Sequence, residues 1–395
     1  MFNYRYHKEF FADWLVSGGM ELAETKAVTP KAKNIVLIVL LLAGLAVALL
    51  ALRDSSGPGS AAEEAGRQSA EKEVAQPGLT AVASADNAAS EPATSPARQE
   101  PKRMEVVRRF EWGDGPGQLG HKIPEDGAPE GPMSFVVDDS GRVVVLDQVN
   151  SRVQIFDNDS KPAEIGLPAD TYQDIATDAD GNPVLLDRLA RHSVEIYSPD
   201  GKLLQKTALV GPGVPEGGGV TGLFHRPDGI WVEVEHTRLV RIADAQGRPD
   251  TERPVMPGRF SKDGRLILTV ARSGQKSADL MSWPMADHGS APVLLARLQF
   301  DTRLAAINAL ESDTNGRIFI GALLVNERPG PPHDVVSANE EIVMLAADGR
   351  LIDRLRLPVN SGPEEQFRPI RLGQDGKLYR LRCTGDGAIL ERWTP

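Results

Sequence analysis

The sequence has almost no cysteine. Cys383 is the only one in 395 residues, which excludes an internal disulfide framework and any multi-cysteine metal site; it reads as a small buried residue in a strand. Aromatic residues are scarce, at 5%. Positive charge is in deficit: 44 Lys and Arg against 55 Asp and Glu leave a formal net charge of -11. The clustered cations that phosphate backbones require are therefore missing, and no nucleic-acid partner is expected. Catalytic signatures are missing too, with no P-loop, no Gly-x-Ser-x-Gly elbow and no His-Glu-x-x-His. Residues 213–219, GVPEGGG, lack the strand-to-helix context that lets glycines cradle a phosphate. Residues 178–182, DADGN, have the opening of a calcium loop but not its later bidentate Glu, and Pro183 begins a strand, so they read as a hairpin turn. The seven histidines are scattered singly and read as surface or packing residues before ligands. No cofactor and no metal site is expected.

What the chain does contain is one long apolar run. Residues 35–52, IVLIVLLLAGLAVALLAL, carry no charge, and at the helical rise they span roughly 27 Å, close to the hydrocarbon thickness of a bilayer. A single transmembrane helix is expected over residues 34–53. Lys26, Lys31 and Lys33 precede it and only Arg53 follows closely, which puts a tail of residues 1–33 in the cytoplasm and everything later outside, in the periplasm if the cell is Gram-negative. A cleaved signal peptide is the competing reading, because Ala46-Val47-Ala48 offers a small-x-small site. Within the tail, Tyr6, Phe10, Phe11, Trp14 and Leu15 fall on one stripe of a short helix that Gly18-Gly19 would end. Residues 1–20 are therefore expected to lie on the inner leaflet or to dock a cytoplasmic partner.

Residues 54–104 are rich in Ala, Ser, Glu, Gly and Pro, with Val74, Leu79 and Val82 the only large aliphatics before Met104. Such a segment cannot bury enough apolar surface to fold and reads as a disordered linker. From 105 to 395 the sequence repeats. A turn signal recurs at 138–142, 178–182, 227–229, 262–265, 313–317 and 374–377, each between two short apolar runs, as in DDSGR and DTNGR. Its glycines advance from Gly141 to Gly376 in five steps, a mean period of about 47 residues, within the range of propeller blades. A second turn follows in most units, for example at 157–161, 200–202 and 348–350, so each unit holds four antiparallel strands. The last unit supplies only three, PIRLG, LYRLR and ILERW, while an orphan strand at 105–112, EVVRRFEW, precedes the first. The fold expected is all-β: a six-bladed β-propeller of four-stranded antiparallel blades in which the N-terminal strand closes the last blade and leaves no open ring.

The first unit, PMSFVVD at 132–138, Gly141, VVVLD at 143–147, Asn150 and RVQIF at 152–156, resembles an NHL repeat, and GDGPGQL at 113–119 resembles that family's lead-in. The second unit keeps Asp187 and Arg191 without the Asn, and the later four are degenerate. The resemblance implies that these polar positions are mainly architectural. Residue chemistry agrees, since Asp147 at a strand end can accept from turn amides and Arg152 can reach neighbouring carbonyls or a carboxylate.

Loop length separates the two faces of such a propeller. The Asp-Gly turns are tight, whereas 113–131, 211–219, 271–278, 325–339 and 359–366 are long and all fall between blades or between second and third strands. They share one face, the place where a rigid scaffold usually presents binding residues. His121, Asp147, Asp187, Arg191, His333 and Asp334 are the candidate partner-binding residues there. The function expected is a membrane-anchored binding or scaffold module for a protein or a cell-envelope polymer. One alternative is a metal-dependent hydrolase or lactonase of the calcium-propeller kind using Asp147, Asp187 and His333. Another is a transmembrane sensor coupling an outer ligand to a cytoplasmic partner.

Overall fold

The computed structural model describes residues 104–395, apart from 139, 158–160, 331–333 and 361–364. The expected tail, membrane helix and linker fall outside the described residues, and so does His333. Among the described residues no helix is long and apolar enough to cross a membrane.

The chain forms six four-stranded antiparallel sheets. Strand β1 (Glu105–Glu111) comes first. Blade one is β2 (Ser134–Val137), β3 (Val143–Asp147), β4 (Arg152–Phe156) and β5 (Ala163–Gly166). Blade two is β6 (Asp174–Thr177), β7 (Pro183–Asp187), β8 (Ser193–Tyr197) and β9 (Leu203–Ala208). Blade three is β10 (Val220–Arg226), β11 (Gly229–Val234), β12 (Arg238–Ala243) and β13 (Val255–Met256). Blade four is β14 (Arg259–Phe260), β15 (Leu266–Gly274), β16 (Ser277–Pro284) and β17 (Val293–Gln299). Blade five is β18 (Arg303–Ser312), β19 (Ile318–Glu327), β20 (Val335–Leu345) and β21 (Leu351–Pro358). Blade six is β22 (Ile370–Leu372), β23 (Leu378–Thr384) and β24 (Gly387–Trp393), and its fourth strand is β1, paired antiparallel to β24 from Glu105↔Arg392 to Glu111↔Gly387. The orphan strand therefore closes the ring, as the sequence leads one to expect.

Local chemistry explains why these segments pair. In DDSGR, Asp138 Oδ1 accepts the amides of Ser140 and Arg142 while Arg142 Nε donates to Asp138 Oδ2 at 2.8 Å. Asp313 treats Asn315 and Arg317 in the same way. The carboxylate holds the turn closed, and Gly141, at φ 81°, supplies the left-handed residue it needs. Middle strands are sandwiched between neighbouring blades, so VVVLD and PVLLD are buried at every position. The outer strand β9 shows the mixed pattern of a half-exposed edge. Pro183 sits at the first position of its strand, where a missing donor is tolerated.

The apolar core is divided into wedges between neighbouring blades. Phe110, Leu119, Phe135, Phe156, Tyr379 and Leu381 join blades six and one, and Phe319, Leu355, Leu357, Ile370 and Trp393 join five and six. Cys383 is fully buried in β23.

Two of the expected long loops prove to be strand. Residues 271–278 and most of 325–339 extend β15–β16 and β19–β20, which pair out to Gly274↔Ser277 and Glu327↔Val335. Their polar composition suggests loop, but a ribbon that rises clear of the blade body has both faces in solvent and carries polar residues for that reason. Blades four and five thus stand above the loop face as a raised wall.

Candidate functional site

The inner strands β2, β6, β10, β14, β18 and β22 surround the axis, and charged side chains gather there: Asp174, Arg259, Glu311 and Arg371 from inner strands, Glu233 from β11 and Arg368 from just before β22. Asp174, at the start of β6, is fully buried. Its carboxylate accepts from Ser134 Oγ at 2.6 Å, the Leu223 amide at 2.8 Å, Arg371 Nη2 at 2.6 Å and Arg368 Nη1 at 3.4 Å. Arg371 also donates to the carbonyls of Phe135 and Ile175. Arg368 donates to Leu223 O and, at 2.9 Å, to Glu311 Oε1. Arg259 donates to Leu310 O and grips both oxygens of Glu233, at 2.5 and 2.7 Å. The Phe224 ring lies beneath two of these cations, 4.6 Å from Arg368 and 5.4 Å from Arg259.

Every blade contributes to this hub: Ser134 from one, Asp174 from two, Leu223 and Glu233 from three, Arg259 from four, Glu311 from five, Arg368 and Arg371 from six. Three carboxylates face three guanidiniums, so the hub is formally neutral. Burial and the neighbouring Arg368 push the Arg371 guanidinium down to about 10, against the pull of Asp174. Burial alone would raise the Glu233 carboxyl, but Arg259 and His236 outweigh it and hold it well below the usual range.

The second-to-third-strand turns of blades one to three lie on the loop face, and the hub meets that of blade three. His236 Nδ1 lies 3.1 Å from Glu233 Oε2, which also accepts from Thr221 Oγ1 at 2.9 Å. Ser151, His192, Glu235 and His236 all hold positive φ, from 50° to 56°, in these turns, a conformation costly for residues with a side chain. Arg188 reaches from blade two to the carbonyls of Gly218 and Val220 and lies 4.9 Å over the Phe367 ring, tying three top connections together.

The candidate residues read from the sequence sit elsewhere. Asp147 is fully buried and holds the corner of blade one. It accepts from the Gly120 amide, Asn150 Nδ2, Arg152 Nε and Gln154 Nε2, and Arg152 also donates to the carbonyls of Asp114, Gly115 and Gln118 in the lead-in. His121 stacks on Trp112 at 4.8 Å. Asp187 accepts from Thr171 Oγ1 and the amides of Ala190 and Arg191. The match of Arg191 to Arg152 needs correction: Asp147 pairs across the ladder with Arg152, but Asp187 pairs with Ser193. Arg191 lies in the turn before Ser193, 3.9 Å from Asp187, and turns instead to Tyr172 and Glu195. Asp334 is exposed on the raised ribbon of blade five beside Arg328. These residues are distributed over blades one, two and five, and the hydrogen bonds of Asp147 and Asp187 stay within their own blades and lead-in.

Sequence reasoning missed the hub itself. Its only signal was the recurrence of charge at the starts or ends of inner strands, as in Asp174, Glu311 and the pair Arg368 and Arg371, where a buried apolar residue would be the default.

No protein-family model matches the chain, and no curated protein does. Solved structures do resemble it. A virginiamycin B lyase from Staphylococcus aureus shares 13% identity, covering 67% of this chain and 95% of that one, at a TM-score of 0.40. A gluconolactonase from Xanthomonas campestris shares 14%, covering 74% and 99%, at 0.42. A calcium-binding regucalcin from Agrobacterium tumefaciens shares 14%, covering 72% and 92%, at 0.42. At these values the likeness carries no functional argument. The class defined by the sheets themselves is the six-bladed β-propeller.

Proposed function

We propose that this chain is a binding module: an NHL-like propeller, anchored by residues 34–53 and held outside the membrane by the linker, that docks a protein or a cell-envelope polymer on its loop face. The observation that carries the reading is the neutral hub. The axial carboxylates Asp174, Glu233 and Glu311 are each committed to guanidiniums, which leaves them as cross-braces of a rigid ring rather than as ligands or bases. Variation between blades is concentrated on the loop face, in the raised wall of blades four and five and in the strained turns of blades one to three. The aromatic tail at residues 1–20 would serve as the inner contact, on the leaflet or on a cytoplasmic partner.

Site-specific photo-crosslinking in the native host tests this. Probes at Lys122, Gln275 and Arg328 on the loop face should yield discrete adducts, and probes at Ser140, Asp200 and Thr314 on the opposite face should not. Adducts confined to the opposite face would refute the reading. Stoichiometric calcium or zinc binding by calorimetry, coupled to ester or lactone hydrolysis, would replace it with the hydrolase.

A further inference from the structure

Exposed apolar side chains are not scattered evenly over the propeller. The outer strands β1, β9, β17 and β21, in blades six, two, four and five, each carry two adjacent large aliphatic residues at or next to their first position: Val106-Val107, Leu203-Leu204, Val293-Leu294 and Leu351-Ile352. Exposure runs from 40% at Val107 to 58% at Val293, and the pairs supply eight of the fourteen large hydrophobic side chains left exposed among the described residues, so most of that surface is gathered in one kind of place. The same place carries a β-bulge in all four strands. The extra residue is Val107 before Arg108, Leu204 before Gln205, Leu295 before Ala296 and Ile352 before Asp353. A bulge bends the strand, re-aims its side chains and spoils the edge for strand addition. Edge protection alone calls for a charge there, as β5 has with Glu164, and not for an aliphatic pair.

β9, β17 and β21 begin just after the connection from the third strand, and β1 begins opposite Arg392 near the end of β24. All four pairs therefore lie on the rim of the tight-turn face, opposite the loop face, and three of them are on the neighbouring blades four, five and six. This rim is also where the chain enters the propeller, since residues before Glu105 join it at the start of β1. Lys202 and Arg350 are exposed immediately before their pairs, each in a turn that also exposes a carboxylate, Asp200 or Asp348. Local charge nearly cancels there, which leaves the aliphatic side chains as the dominant feature of the rim.

We infer that this rim rests on the lipid bilayer that holds the anchor, with the aliphatic pairs set among the headgroups. Pairs on four separate strands form no single groove for a peptide or a small ligand, whereas a planar surface meets those of neighbouring blades together. Long cationic side chains beside apolar ones suit the boundary between acyl chains and headgroups. The position of the incoming chain points the same way, because residues 54–104 lead from the expected anchor at 34–53 to this rim. A second copy is the weaker occupant: two copies meeting on this face would have to pass two incoming segments out through the rim they share. The loop face is then turned away from the bilayer, toward the partner. This inference deepens the binding-module reading and rests on its anchor.

The test reconstitutes the full-length protein in phosphatidylcholine vesicles with the environment-sensitive label NBD on one introduced cysteine at a time. Leu204→Cys, Leu294→Cys and Ile352→Cys report on the rim, and Gln275→Cys reports on the loop face; Cys383 is fully buried and stays unlabelled in the folded protein. Doxyl-labelled phosphatidylcholine is expected to quench the rim labels and to leave the Gln275 label bright. Leu204→Glu combined with Leu294→Glu should abolish the quenching at Ile352→Cys and leave the melting temperature unchanged, because both side chains are exposed. Unquenched rim labels, equal quenching at Gln275, or quenching indifferent to the two charges would each overturn the inference. Energy transfer between copies at the rim that rises with protein density, in place of lipid quenching, would overturn it in favour of a second copy. Extraction of the protein from the vesicles by alkaline carbonate would remove the anchor and this inference with it, whereas a protein retained in the vesicles with unquenched rim labels would remove this inference alone.

Discussion

Changing Asp174 to Ala tests the hub most directly. The substitution removes the acceptor shared by Ser134, Leu223, Arg368 and Arg371 and moves the buried cluster from neutral to a net positive charge. Breaking a buried ion pair by deleting one partner costs about 3–5 kcal/mol, and the orphaned Leu223 amide adds to it, so a loss of about 4 kcal/mol is a conservative expectation. At roughly 2 °C per kcal/mol for a domain of this size, thermal unfolding followed by near-UV circular dichroism should shift down by about 8 °C. Asp174→Asn keeps an acceptor for the Leu223 amide and isolates the charge, so it should fall between wild type and Asp174→Ala. Adding Arg371→Met to Asp174→Ala removes the stranded cation, and the double variant should be more stable than the sum of the singles by about 2 kcal/mol. A shift of less than about 1 °C for Asp174→Ala, or strict additivity in the cycle, would show that the hub is not a structural brace.

Glu195 supplies a pH test. Burial would raise its carboxyl, but hydrogen bonds from Lys206, Tyr172, Tyr197 and Ser193 hold it at about 2, against an ordinary value of 4.5. Its contribution is therefore complete above about 4.5 and is lost as pH falls toward 2. Glu195→Gln should flatten the acid limb of stability in that window, and an unchanged limb would reject the assignment. A truncation beginning at Gly113 removes β1 and the buried Phe110; it should lose cooperative unfolding and aggregate, whereas deleting 57–102 should leave the melting temperature of the propeller unchanged. Arg152→Ala should cost about 3 kcal/mol, because Arg152 is buried against Asp147 and three lead-in carbonyls. Arg191→Ala should cost about 1 kcal/mol, because Arg191 is partly exposed, stands as far as 3.9 Å from Asp187, and leaves Glu195 still paired with Lys206; equal losses in chemical denaturation would refute the contrast.

Blade number, strand count and ring closure were legible in the sequence because each is written locally. Asp138 and Gly141 make a turn through bonds spanning four residues, and EVVRRFEW with only three strands after 370 leaves one way to complete the last blade. The architectural role of Asp147 and Arg152 was legible for the same reason, their spacing being that of one corner. The spacing rule failed in blade two, where Arg191 stands in the turn and Ser193 takes the ladder position, because only strand register distinguishes them. It failed again at 271–278 and 325–339, where polar residues form paired ribbons. The hub lay beyond reach altogether. Asp174 and Arg371 are 197 residues apart, and no local pattern predicts that a carboxylate opening one inner strand will meet guanidiniums from another blade. Ring closure brings those strands to a common axis, where buried charges must find opposite partners because water is excluded from them. The sequence by itself determined the repeating blade; the closed ring decided which charges meet at its centre.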